Sequence, residues 1–228
     1  MKTNLPKLFL IVVLAMLAGS WSKDDIPMQK VIEIVNGEIH PNVITCFGQS
    51  TDRPACNGRN PTSRPGTFPL PYTGMLDHPG WASVRTNISI AKQETDATCR
   101  ATVTLWSEVA GKSRGHGNVG GVAACSYVYK TQIHLARTSP VVTRDIRVRF
   151  QGNNQGATIV GNVSLNIEGL AGKNWAYEGS HTESYSNVPP GIYDVTVSFP
   201  TVSHGSYANA PEVISRATIT SSIVLEVF

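Results

Sequence analysis

The sequence predicts an all-β fold, an antiparallel β-sandwich carried behind an amino-terminal export signal. Three observations lead there. Apolar and polar residues alternate with period two through most of the chain, as in Ala82, Val84, Thr86, Ile88 and Ile90. Clusters of Gly, Pro and Asn separate these runs at the spacing found in sandwiches. Beyond the first segment, no run holds a helical period over three turns.

Residues 1–22 read as a secretory signal peptide. Lys2 and Lys7 precede an uncharged apolar run from Leu8 to Ala18, and small residues at Ala18, Gly19, Ser20 and Ser22 supply a cleavage site before Lys23. The run is too short to span a bilayer core of about 30 Å, so no transmembrane segment is expected. No cysteine lies at the cleavage region, which argues against a bacterial lipid anchor. Secreted, periplasmic and cell-surface locations all fit. The chain of 228 residues carries 19 basic against 16 acidic side chains, and removing the signal takes away two lysines and no acid. The mature chain is nearly neutral, and no nucleic-acid partner is expected.

Four cysteines in an exported chain predict two disulfides. Three connectivities are open. Cys46 and Cys56 are close together in a loop, while Cys99 and Cys125 lie in two strand-like runs, which favours the sequential pairing.

The β-branched run Lys30 to Val35 ends at Asn36-Gly37, the strongest two-residue hairpin signal in the chain. Glu38 to Ile44 is expected to return antiparallel, with Pro41 confining it to an edge or a strand end. From Cys46 to Gly80, six prolines and five glycines predict a long loop, either a binding loop pinned by Cys46–Cys56 or a mobile insertion. Trp81 to Ile90 and Thr98 to Trp106 alternate cleanly. A third strand places Cys125, Tyr127, Tyr129, Ile133 and Leu135 on one face. Cys99 and Cys125 both fall on the apolar side, which predicts a buried bridge between neighbouring or facing strands.

A domain boundary is expected at Ser139-Pro140, dividing an amino-terminal β domain, 23–140, from a carboxy-terminal one, 141–228. In the second, Ile146, Val148 and Phe150 face inward while Arg147 and Arg149 face outward. Ile159, Val163, Leu165 and Ile167 form the next strand, followed by a loop holding Trp175 and Tyr177. Pro189-Pro190-Gly191 then makes a turn into Tyr193, Val195, Val197 and Phe199, and the last strand buries Ala217, Ile219, Ile223, Leu225 and Val227. The motif Val188-Pro189-Pro190-Gly191-Ile192-Tyr193 resembles the turn and following strand of prealbumin-like, Cna-B-type modules. These are the small Ig-like sandwiches of collagen-binding surface proteins and carboxypeptidase regulatory domains. The resemblance covers Thr143 to Phe228, implies an Ig-like sandwich there, and is silent on ligand.

Motifs for chemistry are sparse. Gly115-His116-Gly117-Asn118-Val119-Gly120 matches G-x-G-x-x-G formally, but it leads into a strand rather than a helix, so a hairpin loop is expected instead. The six histidines are scattered without metal-ligand spacing, and no G-x-S-x-G occurs. No catalytic residue, metal or cofactor is expected. Arg147 and Arg149, about 7 Å apart on one strand face, lie with Arg144 and Arg137 in a basic cluster. It reads either as a solvated face that resists edge-to-edge pairing or as a site for an acidic glycan or partner. Flat aromatic rings stack on sugars, and Trp106, on the parity opposite Cys99 and Leu105, and Trp175, in a polar loop, are the candidates for that role. The ligand-binding candidates are therefore Trp106, Trp175, Arg147 and Arg149. The expected function is exported, non-enzymatic binding or adhesion, with a glycan or a surface protein as partner. The alternatives are a structural subunit of a surface or fimbrial assembly, and a secreted hydrolase whose site residues are dispersed in sequence.

Overall fold

The computed structural model describes residues 31–49, 59–78, 80–95, 97–113, 119–207 and 213–228. The signal segment, Cys56 and Gly115–Asn118 lie outside them. The described residues form strands and connections with no helix. In chain order the strands are β1 (Ile32–Ile34), β2 (Glu38–Gln49), β3 (Arg59–Arg64), β4 (Phe68–Pro69), β5 (Tyr72–His78), β6 (Ala82–Glu94), β7 (Cys99–Ser113) and β8 (Val119–Leu135). They continue as β9 (Arg144–Gln155), β10 (Thr158–Val160), β11 (Val163–Ile167), β12 (Lys173–Trp175), β13 (Gly179–Val188), β14 (Gly191–Ser198), β15 (Thr201–Tyr207) and β16 (Val213–Val227).

Pairing is antiparallel throughout and builds two layers. The front layer runs β5-β6-β7-β16-β9-β13. Its spine is the ladder of β7 with β16, fifteen residues long on each strand. The back layer is built on β8, which pairs with β1 and β2 along one side and with β14 and β15 along the other. β11 and β12 extend it beyond β14, β10 beyond β15, and β3 and β4 beyond β2. The layers meet where Ser113 of β7 pairs with Gly120 of β8.

The period-two pattern decides what fills the space between them. Ala82, Val84, Ile88, Ala101, Val103, Leu105, Ile146, Val148, Phe150, Ile219, Ile223 and Leu225 of the front layer are buried against Tyr129, Ile133, Leu165, Val195 and Val197 of the back layer, in one cluster. Full burial of each such side chain is worth about 1.5–3 kcal/mol. At the centre, Tyr127 of β8 crosses to the front layer, its hydroxyl 2.5 Å from Thr86 Oγ1 and 2.7 Å from Ser107 Oγ, with Thr86 and Ser107 themselves 2.7 Å apart. The three buried hydroxyls thus lie within hydrogen-bonding distance of one another in a ring, and each can both donate and accept.

Cys99 and Cys125 are buried thiols and do not form the expected bridge. Their inward parity is as expected, but their height in the core differs. Cys125 lies beside Ser107 and Tyr127, and Ser107 is eight residues from Cys99 along β7, about 27 Å at a strand rise of about 3.4 Å. Disulfide carbons must stand within about 7 Å. Of the other expected pair, Cys46 is buried and Cys56 lies outside the described residues.

Three further expectations are corrected by pairing between segments distant in sequence. Asn36-Gly37 is not a hairpin turn, because β1 and β2 run in the same direction along β8. Ile34 pairs with Ile133 and Glu38 with Lys130, so three residues of one strand face two of the other, a bulge. Gly37 is required there by close approach, since a Cβ would meet the Tyr129 ring at 2.2 Å and the Lys130 carbonyl at 2.6 Å. The Pro/Gly-rich stretch after Cys46 is not one loop, as it contains β3, β4 and β5. Among the described residues β3 and β4 pair with β2 alone and β5 with β6 alone, so Pro61 of β3 and Pro69 of β4 sit on edge strands, where a missing N–H is tolerated. Pro41 itself falls between the β4-paired stretch of β2, Glu38–Ile39, and the β3-paired stretch that starts at Val43.

The boundary expected at Pro140 is crossed by the main ladders. β14 and β15 pair with β8, and β16 pairs with β7, so residues 31–228 form one compact unit. Turn signals mark where a strand ends, whereas partner choice is set by faces that meet only in three dimensions. The Pro189-Pro190-Gly191 turn does connect β13 to β14, and Tyr193 donates its hydroxyl to the Pro189 carbonyl at 2.8 Å.

Near the junction of the layers the backbones nearly touch. A Cβ on Gly121 would stand 1.8 Å from the Trp81 carbonyl oxygen, and one on Gly111 would stand 2.3 Å from the Gly121 carbonyl. Gly121→Ala is therefore expected to lower the melting temperature by several degrees or to prevent folding, while Gly169→Ala, which meets no neighbour, costs only its left-handed φ of 74°. Thermal denaturation followed by circular dichroism checks this. Alkylation without reductant should label Cys99 and Cys125 in denaturant and spare both in the native protein, as read by mass spectrometry of digests. Burial pushes the Cys125 thiol up to about 12 from 9.0 and the Tyr129 hydroxyl up to about 12 from 10.0. Both groups hold their protons in the folded state at pH values where the unfolded chain has lost them. Stability is thus expected to be unaffected by them below pH 9 and to fall between pH 9 and 12, as measured by urea melts across that range.

Candidate functional site

Outward residues of the front layer line up in rows across its strands. One row runs Thr73, Asn87, Trp106, Thr220, Asn153 through β5, β6, β7, β16 and β9. The next runs Ser89, Thr104, Ser222, Gln151, Ser180 and ends on β13. Neighbours within a row stand about 5 Å apart, and rows about 7 Å apart. The result is a two-row patch of amides and hydroxyls that holds one indole, bordered beyond the indole by the row of Met75, Arg85, Glu108, Thr218 and Gln155.

Trp106 is 38 % exposed, high for a tryptophan flanked by paired strands on both sides. Beside it lies a trough of about 430 Å³ lined by Asn87, Ser89, Thr104, Gln151, Asn153, Thr220 and Ser222. None of its lining residues is ionisable. Ser89 Oγ and Thr104 Oγ1 are 2.5 Å apart, and Thr73 donates to Asn87 Oδ1 at 3.4 Å. A neutral surface with many donors and acceptors and one flat apolar ring suits a neutral polyol: hydrogen bonds replace the ligand's water while the ring covers its C–H face.

The other expected site residues fall elsewhere. Trp175 lies in β12, in a strand rather than a loop, and is partly buried. Its ring stacks on His181 of β13, centroids 5.8 Å apart and planes 4° apart, and on Phe150 at 6.1 Å and 17°. It links the edge strand of the back layer to the edge strand of the front layer, and does not join Trp106. The sequence placed it in a loop because the three-residue β12 carries no alternation of its own.

Arg147 and Arg149 do face outward on β9, but β9 pairs with β16 on one side and β13 on the other. Protection of an edge is therefore not their role. Both approach Glu226 of β16: Arg149 donates a hydrogen bond to Oε1, Arg147 stands 4.0 Å from Oε2, and Arg100 of β7 brings a third guanidinium to 3.7 Å. Arg100 and Glu226 were missed in the sequence because the register that unites β7, β16 and β9 is not local.

Several polar groups elsewhere are engaged with one another. A groove on the back layer gathers Glu38, Lys130, Gln132 and Asp194, with Glu38 2.8 Å from His40 Nε2 and Asp194 accepting from Gln132 at 2.8 Å. His204 Nε2 is 2.6 Å from Ser215 Oγ. Among the described residues no group of three or more His, Cys, Asp or Glu side chains could hold a metal ion, and no helix is long and apolar enough to cross a membrane.

No protein-family model and no curated protein matches the chain. Among solved structures, the carbohydrate-binding module TmCBM61 in complex with β-1,4-galactotriose is similar over 60 % of this chain and 86 % of its own, with 11 % identity and a TM-score of 0.26. A chain from the structure of infectious bursal disease virus, Gx strain, is similar over 86 % of this chain and 65 % of its own, with 10 % identity and a TM-score of 0.15. Likeness at these scores carries no argument about the site, which stands on its geometry.

Proposed function

We propose that this chain is an exported, non-catalytic β-sandwich protein that binds carbohydrate across the face centred on Trp106. The observation that carries this reading is the exposed indole beside an uncharged trough lined by Asn, Gln, Ser and Thr on paired strands. Held in long ladders, the array is preorganised, so little ordering entropy is lost when a ligand binds. Export rests on the signal-like segment 1–22, and the Cys46–Cys56 bridge, read from the number and spacing of the cysteines, belongs to the same reading. The Ig-like resemblance at Val188–Tyr193 is retained for the turn and strand it describes, within a sandwich that is larger than one such module.

A second reading, a structural subunit of a surface assembly, draws on β5 and β13, which among the described residues pair with one neighbour each and form the front layer's edges. The two readings separate in one experiment. Light scattering coupled to size exclusion, followed by a glycan array, should give a monomer that binds at least one neutral glycan. Trp106→Ala should weaken that binding by about tenfold or more, at about 1–3 kcal/mol for a lost stacking platform, with an unchanged melting temperature because the ring lies outside the core. Ordered polymers with a silent array would refute the binding reading in favour of the subunit.

A further inference from the structure

The Trp106 face does not end at the neutral rows. It continues into a row of Ala91, Thr102, Val224 and Arg149 and then a row of Gln93, Arg100, Glu226 and Arg147. Trp106 and Arg100 are six positions apart on β7, roughly 20 Å along one surface. At the far end three guanidinium groups surround a single carboxylate. Glu226 is only 14 % exposed and is held by its hydrogen bond from Arg149. Arg100 and Arg147, 44 % and 42 % exposed, stand at 3.7 and 4.0 Å from it, close enough to be attracted and too far to be hydrogen-bonded.

Two further acids at this end have partners of their own among the described residues. Glu94 borders the same cavity of about 680 Å³, and its carboxylate accepts from the Cys99 thiol at 3.9 Å. Asp145 accepts the Asn187 backbone N–H at 2.9 Å. The Phe228 ring lies 4.8 Å from the Arg147 guanidinium carbon, which restrains the plane of that fork.

Resting on the glycan reading of the Trp106 face, we propose that the ligand is an acidic oligosaccharide whose carboxylate-bearing units lie against Arg100 and Arg147 while its neutral faces cover Trp106. A planar carboxylate matches the guanidinium fork in two parallel hydrogen bonds. It would also relieve the repulsion among three like charges that one glutamate only partly offsets. The span between the two ends asks for a chain of several sugar rings, so short ligands reach only one of them.

The test is calorimetry with hexasaccharides of uronic acids derived from pectate, alginate and hyaluronan, each paired with its own methyl ester, which keeps the sugar and removes the charge. At least one acid should bind about tenfold or more tighter than its ester. That advantage should shrink as sodium chloride is raised from about 0.05 to 0.5 M. It should also vanish in R100Q/R147Q, which leaves Arg149 on Glu226, while the ester's affinity and the melting temperature stay as in the native protein. Equal affinity for every acid and ester, with Trp106→Ala still weakening both, would overturn this inference and leave the glycan reading standing. An acid preference that survives in R100Q/R147Q would also overturn it. Silence from both series and from the neutral glycan array would overturn the two together.

Discussion

The hydroxyl ring of Tyr127, Thr86 and Ser107 fixes how the two layers of this protein face each other. All three groups are buried and lie within hydrogen-bonding distance of one another, with the Cys125 thiol beside them. A shift of one layer over the other by a single residue pair would strand them in an apolar core, at about 1–3 kcal/mol for each unsatisfied group. Apolar contacts alone are indifferent to such shifts, because Val, Ile and Leu pack acceptably against many partners. The polar ring therefore selects one register among several that hydrophobic burial would tolerate. The glycines at the layer junction act in the same direction, since Gly111 and Gly121 allow a backbone approach that any side chain would block.

That register reaches the outer surface through strand geometry. Ser107 points into the core, so its neighbour Trp106 must point out, and Thr86 likewise sends Asn87 to the same outer face. Once β7 is placed by its core residues, the ladders to β6 and β16 bring Asn87 and Thr220 to either side of the indole, and β9 adds Asn153. The face is thus the other side of a core already determined. It is also rigid for that reason, because moving a row would mean moving buried residues one position away. The charged end is placed by the same ladders, with Glu226 brought between Arg100 and Arg147 by β16 lying between β7 and β9.

Much of this was legible in the residues. Alternation predicted the buried sets of β6, β7, β8, β9 and β16 residue by residue, because period two is a property of the single strand and survives any choice of partner. The same parity correctly turned Trp106, Arg147 and Arg149 outward. What it could not convey was height along the strand. Cys99 and Cys125 share a face of the core yet lie at different levels, and parity carries no information on that coordinate.

The sequence by itself determined the all-β class, the inward and outward face of nearly every long strand, and the turn at Pro189-Pro190-Gly191. Only the tertiary structure decided which strands are neighbours. It made Asn36-Gly37 a bulge along β8, drew β3, β4 and β5 out of a Pro/Gly-rich stretch, and joined the two sides of Pro140 in common ladders. It also set Arg100 and Glu226 beside two arginines of β9. The physical reason is that strand direction and side-chain parity come from local backbone geometry. Partner and register come instead from hydrogen bonds and buried contacts between segments far apart in the chain, whose net free energy exists only when both are in place.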